Sequence, residues 1–188
     1  MDKILRIHVD VARTMDDLLA CQVVRGIVYI GEQLSPYADE FDGNDFSAQH
    51  ILARVGDEPA GAMRIRYFGD FAKPERLAVL QPFRSRRYGE KGVAFALASY
   101  AFDICSRKGF TQFYGHAQTR LVNFWSRFGM FKPMENGDFR FSDQDYVAMV
   151  GHRDRPDNAL GLHSDHLVLI RPEGKWDQPG VYETLVKS

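Results

Sequence analysis

The segment from Pro74 to Gly109 constrains the fold more than any other, because it joins a short apolar strand to a basic, glycine-bearing loop that opens onto an amphipathic helix. The strand reads Arg76-Leu77-Ala78-Val79-Leu80, and the loop reads Phe83-Arg84-Ser85-Arg86-Arg87-Tyr88-Gly89-Glu90-Lys91-Gly92. In the helix, Ala94, Leu97, Ala98, Ala101, Phe102 and Cys105 recur at the spacing of one helical face. Arg107 and Lys108 suit the negative end of its dipole, and Gly109 can take the left-handed cap conformation. The first turn of a helix leaves N–H groups without intrahelical partners, so a small-residue loop ahead of it can hold a phosphate group. Arg84, Arg86, Arg87 and Lys91 surround that spot. The same residues also describe a solvated basic loop ahead of an ordinary helix.

A chain of 188 residues with 45% hydrophobic and 13% aromatic content fits a single domain, 1–188, with a sizeable core. Its formal charge of −1 argues against a general nucleic-acid binder, so any anion site has to be local. Cys21 and Cys105 each fall in a stretch of helical periodicity and read as small core hydrophobes of a reducing compartment. Met1-Asp2-Lys3-Ile4 lacks the basic-then-apolar order of a signal peptide. No uncharged apolar run approaches the roughly 18 residues of a membrane span. The expectation is a soluble cytoplasmic protein that uses neither membrane nor nucleic acid.

Leu5 to Val11 alternates as a half-buried strand, and Thr14 begins a helix with Leu18, Cys21, Val24, Ile27 and Val28 on its buried stripe. From Leu34 to Ser47 the chain turns acidic and turn-prone, as a loop or short irregular helix. His50–Val55 and Ala60–Phe68 read as a hairpin, and Glu75–Leu80 as a further strand before the basic loop. Phe110–His116 is a buried strand, and Thr119–Phe128 is a helix closed by Gly129. Strands are expected again over Asp138–Val150 and His163–Ile170, and the tail 172–188 is mostly irregular. One helix between two apolar strands predicts a parallel pair with a right-handed crossover, its ligand beyond the carboxyl ends.

Arg25-x-x-x-Tyr29, Glu32-Gln33, Asp39-Glu40-Phe41-Asp42 with Asp45, Glu75-Arg76-Leu77-Ala78-Val79, His116-Ala117-Gln118 and Phe124-Trp125-Ser126-Arg127-Phe128-Gly129 follow one another in a telling order. In that order the chain resembles the GNAT superfamily of N-acetyltransferases, from about Leu5 to Met134 and again near His166. The resemblance implies an α/β (α+β) fold: a mixed, mostly antiparallel sheet whose central parallel pair splays around an acyl-CoA cleft. It implies acetyl-CoA as cosubstrate, no metal, a small-molecule or peptide amine as acceptor, and the option of a homodimer. The backbone of Leu77, Ala78 and Val79 would pair with the pantetheine arm. Arg84, Arg86, Arg87, Tyr88, Gly89, Lys91 and Gly92, with Val93 and Ala94 at the helix start, would bind the pyrophosphate, and Asn123 would lie near the thiol. The loop departs from the family pattern, with Glu90 where glycine is usual, so Glu90 is expected to point outward on an altered turn. Matching His166 to the start of the last family strand would make 142–162 an inserted polar loop.

Acetyl transfer needs a free amine, a donor for the carbonyl oxygen and a proton for the leaving thiolate. A backbone N–H near Val79 is the candidate oxyanion donor. Glu75 could take the amine proton through water, or serve as an ion-pair partner of Arg76 or Arg64. Trp125 stands where the family often has a tyrosine, and an indole N–H is too weak an acid, which leaves water or another group, with Tyr146, His116 and Tyr114 the nearest substitutes along the chain. The acidic run from Asp39 to Asp45 would suit a cationic amine. His163 and His166, three apart on an expected strand, would point to opposite faces and hold no metal. Two other readings stay open: an N-acyl-homoserine-lactone synthase using S-adenosylmethionine and an acyl carrier protein, and a non-catalytic module that binds acyl-CoA or a partner protein.

Overall fold

Thr14 closes the first strand and opens the first helix. In the computed structural model, which describes residues 6–84, 88, 91–141 and 144–185, β1 (Ile7–Val11) leads into α1 (Met15–Arg25). The Thr14 hydroxyl accepts from the Asp17 amide at 3.1 Å, and the Asp17 carboxylate accepts from the Thr14 amide at 3.3 Å. This reciprocal box satisfies two donors and sets acid at the positive end of the dipole. The helix does not end at Arg25. It continues as a π-helix over Gly26–Glu32, whose wider turn brings the Tyr29 hydroxyl 2.8 Å from the carbonyl of Leu77. The acidic stretch beyond it forms α2 (Tyr37–Glu40) and a 3-10 turn at Asn44–Ser47.

A meander of β2 (Gln49–Val55), β3 (Glu58–Tyr67) and β4 (Phe71–Val79) follows. Then come α3 (Val93–Arg107), β5 (Gln112–Gln118), α4 (Val122–Ser126), and the hairpin of β6 (Phe131–Phe141) and β7 (Gln144–His152). The sheet order is β1-β2-β3-β4-β5-β7-β6, and every pairing is antiparallel except β4 with β5. This is the mixed, mostly antiparallel sheet with a central parallel pair that the family resemblance implies.

The parallel pair is short for a reason visible in the residues. β4 and β5 pair only at Phe71 with Gln112 and Ala72 with Phe113. Two positions on, Pro74 has no N–H to offer a neighbour, and Arg76 adopts a left-handed φ of 54° where the register with β3 slips between Ala62 and Arg64. That is a β-bulge, and it bends the strand away.

Two helices cover the near half of the sheet. α3 lies on one face over β1–β4, burying Leu97, Ala98, Ala101 and Phe102 against Ile51, Met63, Ile65 and Phe113. α1 lies on the other face over β2–β4, burying Cys21 and Val24 against Leu52, Ala62 and Ala78. Phe102 is an aromatic hub, with ring centroids of Phe113, Phe128 and Phe131 5.4, 5.1 and 5.4 Å away. Gly61 lets α3 approach: a Cβ there would stand 2.9 Å from the Ala78 carbonyl oxygen and 2.9 Å from side-chain atoms of both Leu97 and Val93.

Two expectations near the end of the chain are corrected. His163–Ile170 is not a strand: Asp165 accepts from the Leu167 amide at 2.7 Å and caps α5 (His166–Ile170). Nor is 142–162 an inserted loop, because Gln144–His152 is β7, wedged between β5 and β6 inside the sheet. Only the part after His152 leaves the sheet. Over the described residues 172–185 the tail is irregular apart from α6 (Val181–Leu185).

Candidate active site

Where β4 and β5 part, a cleft of about 540 Å³ passes between them. β4 supplies one wall through Glu75, Leu77 and Val79, and β5 the other through His116 and Gln118. Tyr29 of the π-helix, Ala94 of α3, Trp125 of α4 and Tyr146 of β7 close it. The Leu80 amide bonds back to the Ala60 carbonyl at 2.9 Å, so the preceding residue, Val79, lies in a non-hydrogen-bonded pair with Gly61. Its backbone groups therefore face away from β3, toward the gap left by β5. The Val79 carbonyl is taken by Arg84, whose Nε donates to it at 2.7 Å.

Beside this wall stands an array of four carboxylates and four cations: Glu40, Asp42, Asp45 and Glu75 with Arg25, Arg64, Arg76 and Lys73. Arg25 and Arg64 are fully buried. Arg25 donates to Glu40 at 2.5 Å and to Asp45 at 2.7 Å. Arg64 forks onto Asp42 with two bonds of 2.8 Å, and reaches Asp45 at 2.9 Å and Glu75 at 2.6 Å. Bonds from Arg64 hold the Asp42 carboxyl well below the usual range. Burial works to raise the Glu75 carboxyl, but the bonds from Lys73 at 2.9 Å and from Arg64 prevail and hold it low. Glu75 thus has the ion-pair role with Arg64, and with Lys73 in place of Arg76. The acidic run 39–45 is likewise engaged: Glu40, Asp42 and Asp45 face inward onto arginines, which removes the expected lure for a cationic amine.

On the basic-loop side, Arg86, Arg87 and Gly89 lie outside the described residues, as does Glu90. Arg84 lines the cleft and pairs with Glu32. The Tyr88 amide bonds to the Lys91 carbonyl at 3.2 Å, and the Lys91 ammonium sits 5.5 Å over the Phe95 ring. Gly92 caps α3 without any side-chain hydrogen bond, leaving the first-turn amides that follow it, those of Val93 and Ala94 included, without a capping side chain. Val93's side chain is buried in the core, while Ala94 lines the cleft. Such a helix start, with a guanidinium beside it, fits a diphosphate. Leu77 and Val79 line the cleft, but the Ala78 side chain turns to the α1 face. Asn123 is exposed and lies off the cleft wall, which α4 builds instead from Phe124 and Trp125.

Across the cleft, His116 opens onto the cavity with its Nε2 3.1 Å from the Tyr114 hydroxyl. Partial burial and the Lys73 charge hold its pKa below the ordinary histidine value. The Tyr146 ring stacks on Phe139 at 5.5 Å, and His116 meets the same Phe139 edge-on at 4.7 Å. The Trp125 ring packs against Phe102, Phe124 and Phe131, with centroids 6.3, 5.1 and 6.1 Å away. Sequence reasoning missed Gln118, Phe139 and Phe141 as wall residues. Alternation alone put Gln118 on the same face as His116, two residues earlier, and was the available signal. Among the described residues, no group of three or more metal-ligating side chains converges, and no helix is long and apolar enough to cross a membrane.

No family model matches the chain. Three proteins of Bacillus subtilis (strain 168) are similar to it, one of them a putative acetyltransferase that is 34% identical over 116 residues, 60% of this chain and 76% of its own. The uncharacterized protein YyaT is 34% identical over 119 residues, 62% of this chain and 77% of its own. The uncharacterized N-acetyltransferase YjcF is 32% identical over 120 residues, 63% of this chain and 81% of its own. Among solved structures, Escherichia coli ElaA superposes with a TM-score of 0.66 at 23% identity, over 79% of this chain and 99% of that one. Arabidopsis thaliana Naa50 in complex with the bisubstrate analogue CoA-Ac-MVNAL superposes with a TM-score of 0.60 at 21% identity, over 78% and 99%. At those identities the two structures share the fold.

Proposed function

This chain belongs to the GNAT superfamily of N-acetyltransferases, a transferase family, and from that premise we propose that it moves an acetyl group from acetyl-CoA to a primary amine. One observation supports the reading: β4 and β5 separate beside the start of α3, which no side chain caps, and one cleft lined by Arg84 and Ala94 at that end runs on to Glu75, His116 and Tyr146. The coenzyme A analogue in the Naa50 complex supports the choice of donor.

In the proposed reaction Arg84, Tyr88, Lys91 and the amides after Gly92 hold the pyrophosphate, together with Arg86, Arg87 and Gly89. The Leu77–Val79 edge lies along the pantetheine arm, with the Val79 N–H aimed at the thioester oxygen as it gains charge. The amine nitrogen attacks the thioester carbon, the C–N bond forms, the C–S bond breaks, and one proton passes from nitrogen to a base while the thiolate gains one. His116 is the better base, because its lowered pKa keeps the imidazole neutral at pH 7. Glu75, tied by Arg64 and Lys73, positions that pair of cations instead. Tyr146 supplies the hydroxyl for the thiolate.

The test is calorimetric titration with acetyl-CoA and with S-adenosylmethionine, followed by thiol release in the presence of an amine panel. Acetyl-CoA binding with amine-dependent release is the expected result. Binding without release points to a non-catalytic module, and a preference for S-adenosylmethionine points to lactone synthesis; either one refutes the proposal.

A further inference from the structure

Among the described residues that line the cleft, most charged side chains are paired, and Arg66 and Arg120 are not. On β3, Arg64 and Arg66 alternate onto the same face, and register places Glu75 opposite Arg64 and Lys73 opposite Arg66. Asp42 and Glu75, the two carboxylates that line the cleft among the described residues, are both engaged by Arg64. Arg66 lines the same cavity, half-buried, and no carboxylate pairs with it among the described residues; its guanidinium rests 4.9 Å over the Phe68 ring. Arg120 at the far rim is likewise without an anionic partner among the described residues.

Across the cleft, on that same face, stands Gln118. Its Oε1 is buried and lacks a hydrogen-bond partner among the described residues, although the side chain lines the cavity. A buried acceptor in a cleft wall calls for a donor, and a ligand N–H would supply it. Beyond Gln118, register continues to Tyr146 and then to Phe139. Phe139 and Phe141 are 36% and 48% exposed, so this half of the face offers aromatic surface to whatever enters.

We infer that the acceptor is an apolar or aromatic amine bearing a carboxylate, such as an α-amino acid, with its carboxylate on Arg66 and its amino N–H donated to Gln118. For turnover this rests on the transferase reading; for binding it does not. Arg66 and Gln118 are positioning residues, setting the nitrogen before it attacks.

Phenylalanine and phenethylamine differ only by the carboxylate and serve as the matched pair. With acetyl-CoA, kcat/KM for phenylalanine is expected to exceed that for phenethylamine by about tenfold or more, the scale of one charge-assisted bond. Arg66→Met brings the ratio near one, whereas Arg66→Lys retains part of it. Because the ratio is taken within one protein sample, loss of folded material cancels. Gln118→Leu lowers kcat/KM for both amines alike, since both carry the nitrogen. A wild-type ratio at or below one, or an unchanged ratio in Arg66→Met, overturns the inference. Should no amine release thiol, the transferase reading fails by itself. The same pair is then read by calorimetry on the protein: tighter binding of phenylalanine in the wild type but not in Arg66→Met supports the inference, and equal binding of the two overturns it.

Discussion

Arg64→Met tests whether the buried ionic array carries stability. Arg64 is 1% exposed and donates five hydrogen bonds to Asp42, Asp45 and Glu75. Removing one member of a buried ionic group costs roughly 3–5 kcal/mol, because charge is left behind rather than because the pairing itself was strong. Here the lower end applies. Asp45 keeps Arg25 at 2.7 Å, Glu75 keeps Lys73 at 2.9 Å, and Asp42, with a side chain 24% exposed, can take up water. The expected loss is therefore about 3 kcal/mol at pH 7, a fall in Tm of roughly 6–12 °C for a domain of this size. Its pH dependence identifies the cause. Asp42, Asp45 and Glu75 all have carboxyls held below their ordinary values. Carboxyls so held stabilise the fold above the unfolded pKa of about 4 and lose that contribution as pH falls through the folded values. Urea denaturation at pH 7 and pH 3.5 should give a large wild-type-to-variant gap at the first and a smaller one at the second. A deficit under about 1 kcal/mol at pH 7, or one that does not narrow on acidification, refutes the reasoning.

Four further outcomes follow from single residues. His116→Ala should lower kcat/KM by about 100-fold. Because the His116 pKa is lowered, the wild-type profile should carry, besides the limb from ionisation of the substrate amine, a further acid limb below the ordinary histidine value, and a pH–rate series should find that further limb missing in the variant. Arg76→Gly and Arg76→Ala both lose the guanidinium, but alanine must still take the φ of 54°, so urea midpoints should place alanine about 1 kcal/mol below glycine. Gly61→Ala should cost about 1–3 kcal/mol in the same assay, because one of the atoms 2.9 Å from the new Cβ is the Ala78 carbonyl oxygen, a backbone atom. Burial pushes the thiols of Cys21 and Cys105 up to about 12, so a thiol reagent at pH 8 should label neither in the native protein and both in denaturant.

How legible each part was depends on whether its cause is local. α1 was readable because Thr14 and Asp17 cap it within four residues, and α3 because its apolar face repeats without a break. The parallel pairing of β4 and β5 followed from one intervening helix. The π-helical run Gly26–Glu32 left no such trace, since its wider turn is fixed by what Tyr29 reaches on β4 rather than by its own residues. His163–Ile170 misled because Leu167, Val168, Leu169 and Ile170 form an apolar run that fits strand or helix alike, and the deciding signal was the short polar side chain of Asp165 ahead of it. The acidic segment 39–45 misled in a different way. Its charges were plain, but their partners Arg25 and Arg64 come from 14 or more residues away, and only the fold brings them together.

That long-range cancellation also bears on how the proposed reaction begins. A developing oxyanion is best met by a donor already in place, since reorientation during reaction is what raises barriers in water. Three side chains fix the wall that presents the Val79 amide: Tyr29 holds the Leu77 carbonyl, Arg84 holds the Val79 carbonyl, and Arg76 is tied at its far end to the Asp39 carbonyl and Glu40. The left-handed φ at Arg76 costs about 1–2 kcal/mol on its own, and it persists because the array clamps the side chain while β3 holds the strand on either side of the bulge. The ion pairs therefore spend their charge on one another and leave the geometry of β4 rigid. Among the described residues, Arg66 and Arg120 are cleft-lining cations that no carboxylate engages, and in the inferred complex the acceptor's carboxylate rests on Arg66.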